Sequence, residues 1–303
     1  MPFFRKIRRS SWDLYSGYSH YVPGLSGVLL LLLLFVVGNF LGSFVSFIFG
    51  SCFNTENAMA YSMLVAYPVI FIPAMVYCSV KSRNNEMFDT GYAMDSSNFG
   101  RIGGWKLALM VSVVTVAAAI LMDPVNSIMP PMPSRLEIAM KRLTEGFPLW
   151  ATLLSVSVLA PIFEEWLCRG MILRGLLQKI NPAAAMAISA LCFALIHFNI
   201  WQALPAFVLG MLFAYVYYKT GSLKLTMLMH CVNNTFSVLT SRLDTMKDVD
   251  FLSQVMEKWQ YVALLCCCLI LIVLFIDILW KNIPMKSERG NIDTIDAKDM
   301  ASI

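Results

Sequence analysis

The chain has 303 residues, of which 58% are hydrophobic and 14% are charged. Soluble proteins average roughly 45–50% apolar and 25% charged residues, so this composition excludes an ordinary soluble domain and predicts a polytopic membrane protein. The formal net charge of +4 is small, and basic residues in such a protein report orientation rather than nucleic-acid binding. We therefore expect the lipid bilayer as a partner and no nucleic acid.

Apolar segments divide the chain into eight predicted transmembrane helices. A helix rises about 1.5 Å per residue, so about 20 residues cross the hydrocarbon core. The expected fold is an all-α bundle of about eight transmembrane helices. The predicted spans are residues 25–49, 58–80, 105–122, 148–179, 182–198, 203–218, 223–239 and 261–280.

The lysines and arginines predict how these spans are oriented. Cytoplasmic loops of membrane proteins carry an excess of basic residues. With the N-terminus inside, most of the basic residues fall in inner loops, and a charged tail ends the chain on the same side. We predict that both termini are inside, and the compact form without an organelle signal favours a bacterial inner membrane. The outer side receives only Arg135, Lys141, Arg142, Arg242, Lys247 and Lys258.

The loop after the third span contains a predicted amphipathic helix. Ser134 and Glu137 have the spacing of a capping box, which marks a helix start. Leu136, Met140 and Leu143 then recur at i, i+4 and i+7, which places them on one apolar face. Two interpretations fit: a lid over a substrate entrance, or a solvated connector lying on the lipid headgroups. We favour the connector.

Eight cysteines are present, and nearly all lie in apolar stretches, where they behave as small hydrophobic residues. No CxxC or Cys/His spacing typical of a metal site occurs, so we predict neither a metal nor a redox role for them. Residues 1–24 combine basic and aromatic side chains, which predicts a segment at the membrane interface before a first span that is retained.

The fourth span contains two adjacent glutamates, Glu164 and Glu165, followed by Arg169. An ionisable residue at membrane depth costs roughly 2.5–3.5 kcal/mol on insertion scales, so we expect this cluster to be buried, paired and functional. On a helix, Glu165 and Arg169 lie at i and i+4 and pair on one face, while Glu164 points about 100° away. This leaves Glu164 free for chemistry. The pair alone is also consistent with a purely structural bridge.

Two of the three histidines, His197 and His230, lie in spans that follow the glutamate pair, and Asn234 shares a helix face with His230. With Glu164 they predict three helices that each contribute polar groups to one cavity. A buried glutamate is a general base for water, and histidine and asparagine donate hydrogen bonds to an oxyanion. Taken singly, each of these residues is more typical of interhelical hydrogen bonding.

Three motifs in chain order resemble those of the CPBP family, the CAAX-protease and bacteriocin-processing membrane proteins also called Abi. The resemblance covers about residues 148–240 and implies an eight-helix intramembrane glutamic endopeptidase. The motifs are Glu164-Glu165-x-x-x-Arg169, Phe193-x-x-x-His197 and His230-x-x-x-Asn234.

The resemblance also implies roles for the matching residues. Glu164 would activate water with the assistance of His197, and His230 and Asn234 would form the oxyanion site. Two histidines and a glutamate can hold zinc, but an asparagine in the site and an arginine beside the carboxylates fit an enzyme without metal or cofactor better. The predicted catalytic residues are Glu164, Glu165, His197, His230 and Asn234, with Arg169 and Phe193 as supporting residues.

Two functions from different classes fit these observations. The first is an endopeptidase that hydrolyses a peptide bond in a membrane-associated protein or peptide. The second is a non-proteolytic membrane scaffold, acting in bacteriocin immunity or regulation, in which the cluster is structural. A transporter that uses Glu164 as a proton carrier is disfavoured because no inverted repeat is evident. We favour the endopeptidase, since every motif residue is present; the sequence names neither a substrate nor an oligomeric state.

The domain organisation follows from these motifs. We predict an N-terminal three-span region with an amphipathic surface segment (1–147), a catalytic core (148–240), and a last span with a charged cytoplasmic tail (241–303).

Overall fold

The computed structural model describes residues 15–53, 58–86, 92–95, 99–243, 249 and 251–283. These residues form helices and no β-strand, which confirms the predicted all-α membrane bundle. The basic residues up to position 14 and the charged tail from position 284, which were used to predict the orientation, lie outside the described residues. The helices are α1 (Leu25–Cys52), α2 (Ala58–Asn85), α3 (Gly104–Ser127), α4 (Ser134–Lys141), α5 (Leu149–Leu176), α6 (Pro182–Leu195), α7 (Ile200–Thr220), α8 (Leu223–Ser241) and α9 (Lys258–Asn282).

Length and hydropathy identify the helices that can cross a membrane. Among the described residues these are α1, α2, α3, α5, α7 and α9, so the chain is an integral multi-pass membrane protein. Helix α6 is apolar but has only 14 residues, about 21 Å of helix. Helix α8 has 19 residues and is more polar, since it carries His230, Asn233 and Asn234. The predicted number of eight spans stays a prediction.

The boundary between α6 and α7 differs from the predicted one. Helix α6 ends at Leu195, so His197 lies in the turn before α7 and not inside the fifth span. Helix α7 begins earlier than predicted, at Ile200, because the Asn199 side chain accepts a hydrogen bond from the Gln202 backbone N–H at 2.8 Å. This cap satisfies one of the donors that a helix start leaves unpaired.

The predicted capping box at the start of α4 is wrong. Pro133 is the N-cap residue, and its carbonyl accepts from the Leu136 and Glu137 N–H groups at 2.9 and 3.0 Å. The helix thus begins one residue earlier than the box requires, and the Ser134 side chain makes no capping hydrogen bond. A π-helical turn, Arg142–Gly146, follows α4 and leads into α5.

Helices α1 and α2 form a closely packed hairpin. Gly38 and Gly42, one turn apart on α1, face α2. A Cβ atom at Gly38 would overlap the Ile70 carbonyl oxygen, and one at Gly42 would lie 2.8 Å from the Ile70 side chain. Small residues at this spacing let two membrane helices approach backbone to backbone. The contact fixes the position of α2, which supplies part of the site described below.

Helix α5 is the centre of the bundle. In its most apolar stretch 61% of the residues are buried, against 17–39% in the other five candidate spans. It is not a uniform α-helix, because two π-helical segments, Leu153–Leu159 and Trp166–Leu173, flank the α-helical turn Ala160–Glu165. The sequence predicted an ordinary α-helix here. π-helical segments inside α-helices are rare and are often found at functional sites.

The C-terminal end of α5 is tied to the segment that precedes α1. Arg174 is fully buried, and its guanidinium donates to the backbone carbonyls of Tyr18, Ser19 and Tyr21 at 2.7–3.2 Å. The same side chain donates to the Tyr92 carbonyl at 2.6 Å. The part of the predicted interface segment from residue 15 onwards therefore packs on the bundle, where its carbonyl oxygens accept from the several N–H donors of one guanidinium.

Candidate active site

Glu164 and Glu165 end the short α-helical turn between the two π-helical segments of α5. Both are buried: Glu165 is fully inaccessible, whereas Glu164 keeps 7% of its surface exposed. Pro161 explains why the helix departs from α geometry just before them. A proline clashes with the carbonyl four residues back and offers no N–H, so the preceding turn widens.

Glu165 is held by two partners. Its Oε1 accepts from Arg169 Nη1 at 2.8 Å, so the predicted i, i+4 pair is present, and from His230 Nδ1 at 3.1 Å. The Arg169 guanidinium also donates to the Gly210 carbonyl on α7 at 2.9 Å and lies 4.5 Å from the ring centre of Phe193. A carboxylate with a buried guanidinium and an imidazole on the same oxygen is charge-compensated, so Glu165 is a structural anchor for His230.

Glu164 differs from Glu165 in its partner and in its place at the cavity. Both carboxylates leave a buried Oε2 without a hydrogen bond among the described residues, but Glu164 lines the cavity and Glu165 does not. The Tyr67 hydroxyl of α2 donates to Glu164 Oε1. Glu164 Oε2 makes no hydrogen bond within the described residues and lies 3.9 Å from His230 Nε2. The predicted pairing of Glu165 with Arg169 is therefore present, and Glu164 lines the cavity; the role of each glutamate stays a prediction. Tyr67 was missed by the sequence analysis, where a tyrosine in an apolar span gives no signal.

Hydrogen bonds define the tautomers of the two histidines. His197 Nδ1 lies 2.8 Å from the Phe193 carbonyl, which only accepts, so Nδ1 carries the proton and Nε2 a lone pair in the neutral ring. His230 Nδ1 faces Glu165 in the same way. The Phe193 ring separates the two imidazoles, with both centroids 5.2 Å from it in edge-to-face geometry. The structure thus places His230 beside Glu164 but gives His197 no direct contact with either glutamate.

Asn234 is also near the site, but its amide is engaged elsewhere. Its Nδ2 donates to the Val156 carbonyl on α5 at 2.8 Å, and its Oδ1 accepts from Asn233 Nδ2 at 3.1 Å. The predicted oxyanion role of Asn234 stays a prediction, and the contact observed is with the protein backbone. No motif signalled that contact.

These residues line one cavity of about 530 Å³, whose walls come from α2 through α8. Glu164, His197, His230 and Asn234 all contribute to it, so the prediction that polar groups on separate elements meet in one cavity is confirmed. Met140 of α4 and residues of the following π-helical turn also line the cavity. The segment therefore contributes to the cavity wall, although α4 has no buried residue. Both interpretations of it, the lid and the connector on the headgroups, stay predictions.

The described residues offer no metal-binding cluster. No group of three or more His, Cys, Asp or Glu side chains in ranges 15–53, 58–86, 92–95, 99–243 and 251–283 has the geometry to hold a metal ion. All eight cysteines lie in these ranges, and each is a free thiol. The residues around Glu164 fit chemistry carried out by protein side chains.

Comparison with known proteins tests the resemblance. Residues 146–236 match the family model described as "Type II CAAX prenyl endopeptidase Rce1-like". The predicted resemblance is confirmed. The match covers less than a third of the 303-residue chain and contains every predicted site residue, from Glu164 to Asn234. Tyr67, in contrast, lies outside the Rce1-like segment.

A curated relative agrees with the family match. The chain is 31% identical over 83 residues to the Bacillus subtilis (strain 168) protein named "Putative membrane peptidase YdiL". The aligned part is 27% of this chain and spans 34% of that protein. No solved structure matches the chain.

Proposed function

We propose that this protein is an intramembrane endopeptidase that uses Glu164 to activate water. The observation that carries the proposal is the different environment of the two adjacent glutamates. Glu165 is neutralised by Arg169 and anchored on His230, whereas Glu164 accepts from the neutral Tyr67 hydroxyl and lines the cavity. The Rce1-like match and the similarity to a protein named as a membrane peptidase support the same class of reaction.

The reaction follows from this geometry. Glu164 Oε2 takes a proton from a water molecule, whose oxygen attacks the carbonyl carbon of the scissile peptide bond. Glu164 then returns the proton to the amine that leaves. His230 Nε2, 3.9 Å from Glu164 Oε2, is placed to donate to the developing oxyanion when it is protonated. His197 presents the lone pair of Nε2, with which it orients water or substrate.

We propose a membrane-associated protein or peptide as the substrate. The cavity is built mainly from membrane helices, and its lining mixes apolar with uncharged polar side chains, with no lysine, arginine or aspartate among the described lining residues. Such a cavity accepts an extended segment with uncharged side chains. On the distribution of basic residues, we place the protein in a bacterial inner membrane with both termini inside.

The test compares membranes that contain wild-type protein with membranes that contain Glu164→Gln, at matched expression. Mass spectrometry of new protein termini identifies the cleavage products. We expect Glu164→Gln to lower cleavage at least about a hundredfold, because general-base catalysis contributes roughly 10²–10⁴-fold. New termini that appear only with the wild type would also identify the substrate.

Glu137→Gln is the matched control. Glu137 lies on α4 and pairs with Lys141, and both side chains are largely exposed. This variant is expected to cleave as the wild type does. Identical termini with folded wild type and folded Glu164→Gln would contradict the proposal and favour the scaffold.

A further inference from the structure

One backbone carbonyl in front of the glutamate pair lacks its helical donor. In the first π-helical segment of α5, the Ala160 N–H donates to the Ser155 carbonyl, five residues back. The next donor in this register would be residue 161, which would pair with the Val156 carbonyl. Residue 161 is proline and has no N–H. In this register, α5 therefore offers no backbone N–H to the Val156 carbonyl.

Asn234 supplies the missing donor from another helix. Its Nδ2 lies 2.8 Å from the Val156 carbonyl oxygen, across 78 residues of sequence. The Asn233 amide donates to Asn234 Oδ1 and thereby fixes which end of the Asn234 amide faces α5. Val156 is half-buried, and a helix carbonyl without a donor is costly where water is scarce, so this one contact has a stabilising role that is independent of any substrate.

We propose that Asn234 is a positioning residue that replaces the backbone N–H missing at Pro161, and that it acts on catalysis through the register of α5. Val156 lies about two helical turns before Glu164. The π-helical register between them sets the rotation of Glu164 toward the cavity. This assignment rests on the proposed function for its catalytic part, whereas the hydrogen bond itself does not.

The proposal differs from an oxyanion role in one measurable respect. If Asn234 acts on the reacting atoms, its loss has the same effect whatever residue occupies position 161. If Asn234 substitutes for an N–H group, its loss is harmful only while position 161 is proline. Pro161→Ala returns an N–H to the backbone of α5, and with it a local partner for the unpaired carbonyl.

A double-mutant cycle in purified full-length protein tests this coupling. The four proteins are the wild type, Asn234→Ala, Pro161→Ala and the double variant. Thermal unfolding in detergent is measured for each. Asn234→Ala is expected to lower the midpoint by roughly 2–4 °C or more when Pro161 is present, and by less than half as much in the Pro161→Ala background. Equal shifts in the two backgrounds would overturn the proposal.

Ser237→Ala is the matched control, since Ser237 lies one turn further along α8 and lines the same cavity. Its effect is expected to be the same in the wild-type and Pro161→Ala backgrounds. This stability measurement requires no proteolytic activity, so it stands if the proposed function fails.

The cleavage rate in the same four proteins gives the second readout. Asn234→Ala is expected to lower kcat by about tenfold when Pro161 is present and by less than about threefold in the Pro161→Ala background, with little change in KM. A tenfold loss of kcat in both backgrounds would overturn the positioning role and indicate that Asn234 acts directly on the reacting atoms. If the wild type itself cleaves nothing, the proposed function fails. The unfolding midpoints still test whether Asn234 replaces the N–H that is missing at Pro161.

Discussion

Tyr67 donates to one oxygen of Glu164, Oε1, and leaves Oε2 without a hydrogen bond among the described residues. In the proposed mechanism, Oε2 is the oxygen that takes a proton from water. The ring is fixed by aromatic neighbours, since Phe71 lies 5.7 Å from Tyr67 and stacks in turn on Phe163 of α5 at 5.3 Å. The tyrosine is thus a rigid donor, well suited to orient a carboxylate.

Removing this hydroxyl is expected to impair catalysis without unfolding the protein. Hydrogen bonds to charged groups contribute roughly 1.5–3 kcal/mol, so Tyr67→Phe should lower kcat at least about tenfold. Tyr61→Phe is the control, because Tyr61 lies on the same helix and stacks on Trp150 at 5.7 Å. Steady-state kinetics and thermal unfolding of both variants are the measurements. Full activity of Tyr67→Phe would show that the Tyr67 hydroxyl has no role in catalysis.

Arg169 is expected to be essential for stability as well as for activity. Arg169→Ala leaves Glu165 charged and buried without its main partner, and breaking a buried pair in this way costs about 3–5 kcal/mol. Lys141→Ala breaks an exposed i, i+4 pair with Glu137, which is worth less than about 1 kcal/mol. Thermal unfolding of the two variants should therefore differ clearly. Similar midpoints would contradict the stabilising role of the Glu165–Arg169 pair.

At the scale of elements, Arg242 helps to hold the amphipathic segment on the bundle. Arg242, at the end of α8, donates to the Thr144 and Phe147 carbonyls at 2.6 and 2.8 Å. It also donates at 3.3 Å to the Thr152 hydroxyl of α5, which itself donates to the Leu143 carbonyl at 3.2 Å. A single guanidinium thus joins the wall segment to α5 and α8, beside the apolar contacts of Phe147.

Loss of Arg242 is expected to loosen this wall. In Arg242→Ala, the backbone amides of residues 134–147 should exchange hydrogen faster, since local opening costs less free energy. KM should rise more than kcat falls, because the cavity is altered rather than the reacting groups. Arg135→Ala, an exposed residue of the same segment, is the control. Unchanged exchange in Arg242→Ala would show that the apolar contacts of the segment hold it alone.

The sequence predicted the parts of the site that depend on helical spacing. Glu165 and Arg169 were identifiable as a pair because i, i+4 neighbours face each other on a helix. The contact of Glu164 with Tyr67 spans 97 residues, and no period or motif connects the two positions. The bond from Asn234 to Val156 was equally hidden, since it depends on a π-helical register that hydropathy does not report. The polar motifs therefore located the cavity, and tertiary packing decided which atoms meet in it.

At the scale of the whole molecule, the segment that matches the family depends on the part of the chain before it. Helix α2 supplies Tyr67 and is held against α1 by the close approach at Gly38. Enlarging that residue is thus expected to disturb a site on helices that it does not touch. The predicted division at residue 147 separates regions that share one cavity.

Gly38→Ala tests this dependence on the α1–α2 contact. The added methyl overlaps the Ile70 carbonyl, so the two helices must move apart, and Tyr67 moves with α2. We expect lower stability and a loss of activity similar to that of Tyr67→Phe. Gly50→Ala is the control, since nothing lies within 4 Å of a Cβ atom there. Wild-type activity in Gly38→Ala would show that the site does not depend on the close contact between α1 and α2.

The burial of Arg174 has a consequence for biosynthesis. The carbonyls that receive its guanidinium belong to residues made 153–156 positions earlier in the chain. The same segment also contacts α2, since the His20 N–H donates to Ser82 Oγ and Asn85 Nδ2 donates to the His20 carbonyl, both at 3.1 Å. During translation, the partners on α2 are therefore available early, and the guanidinium that completes the docking becomes available only after residue 174 has been made.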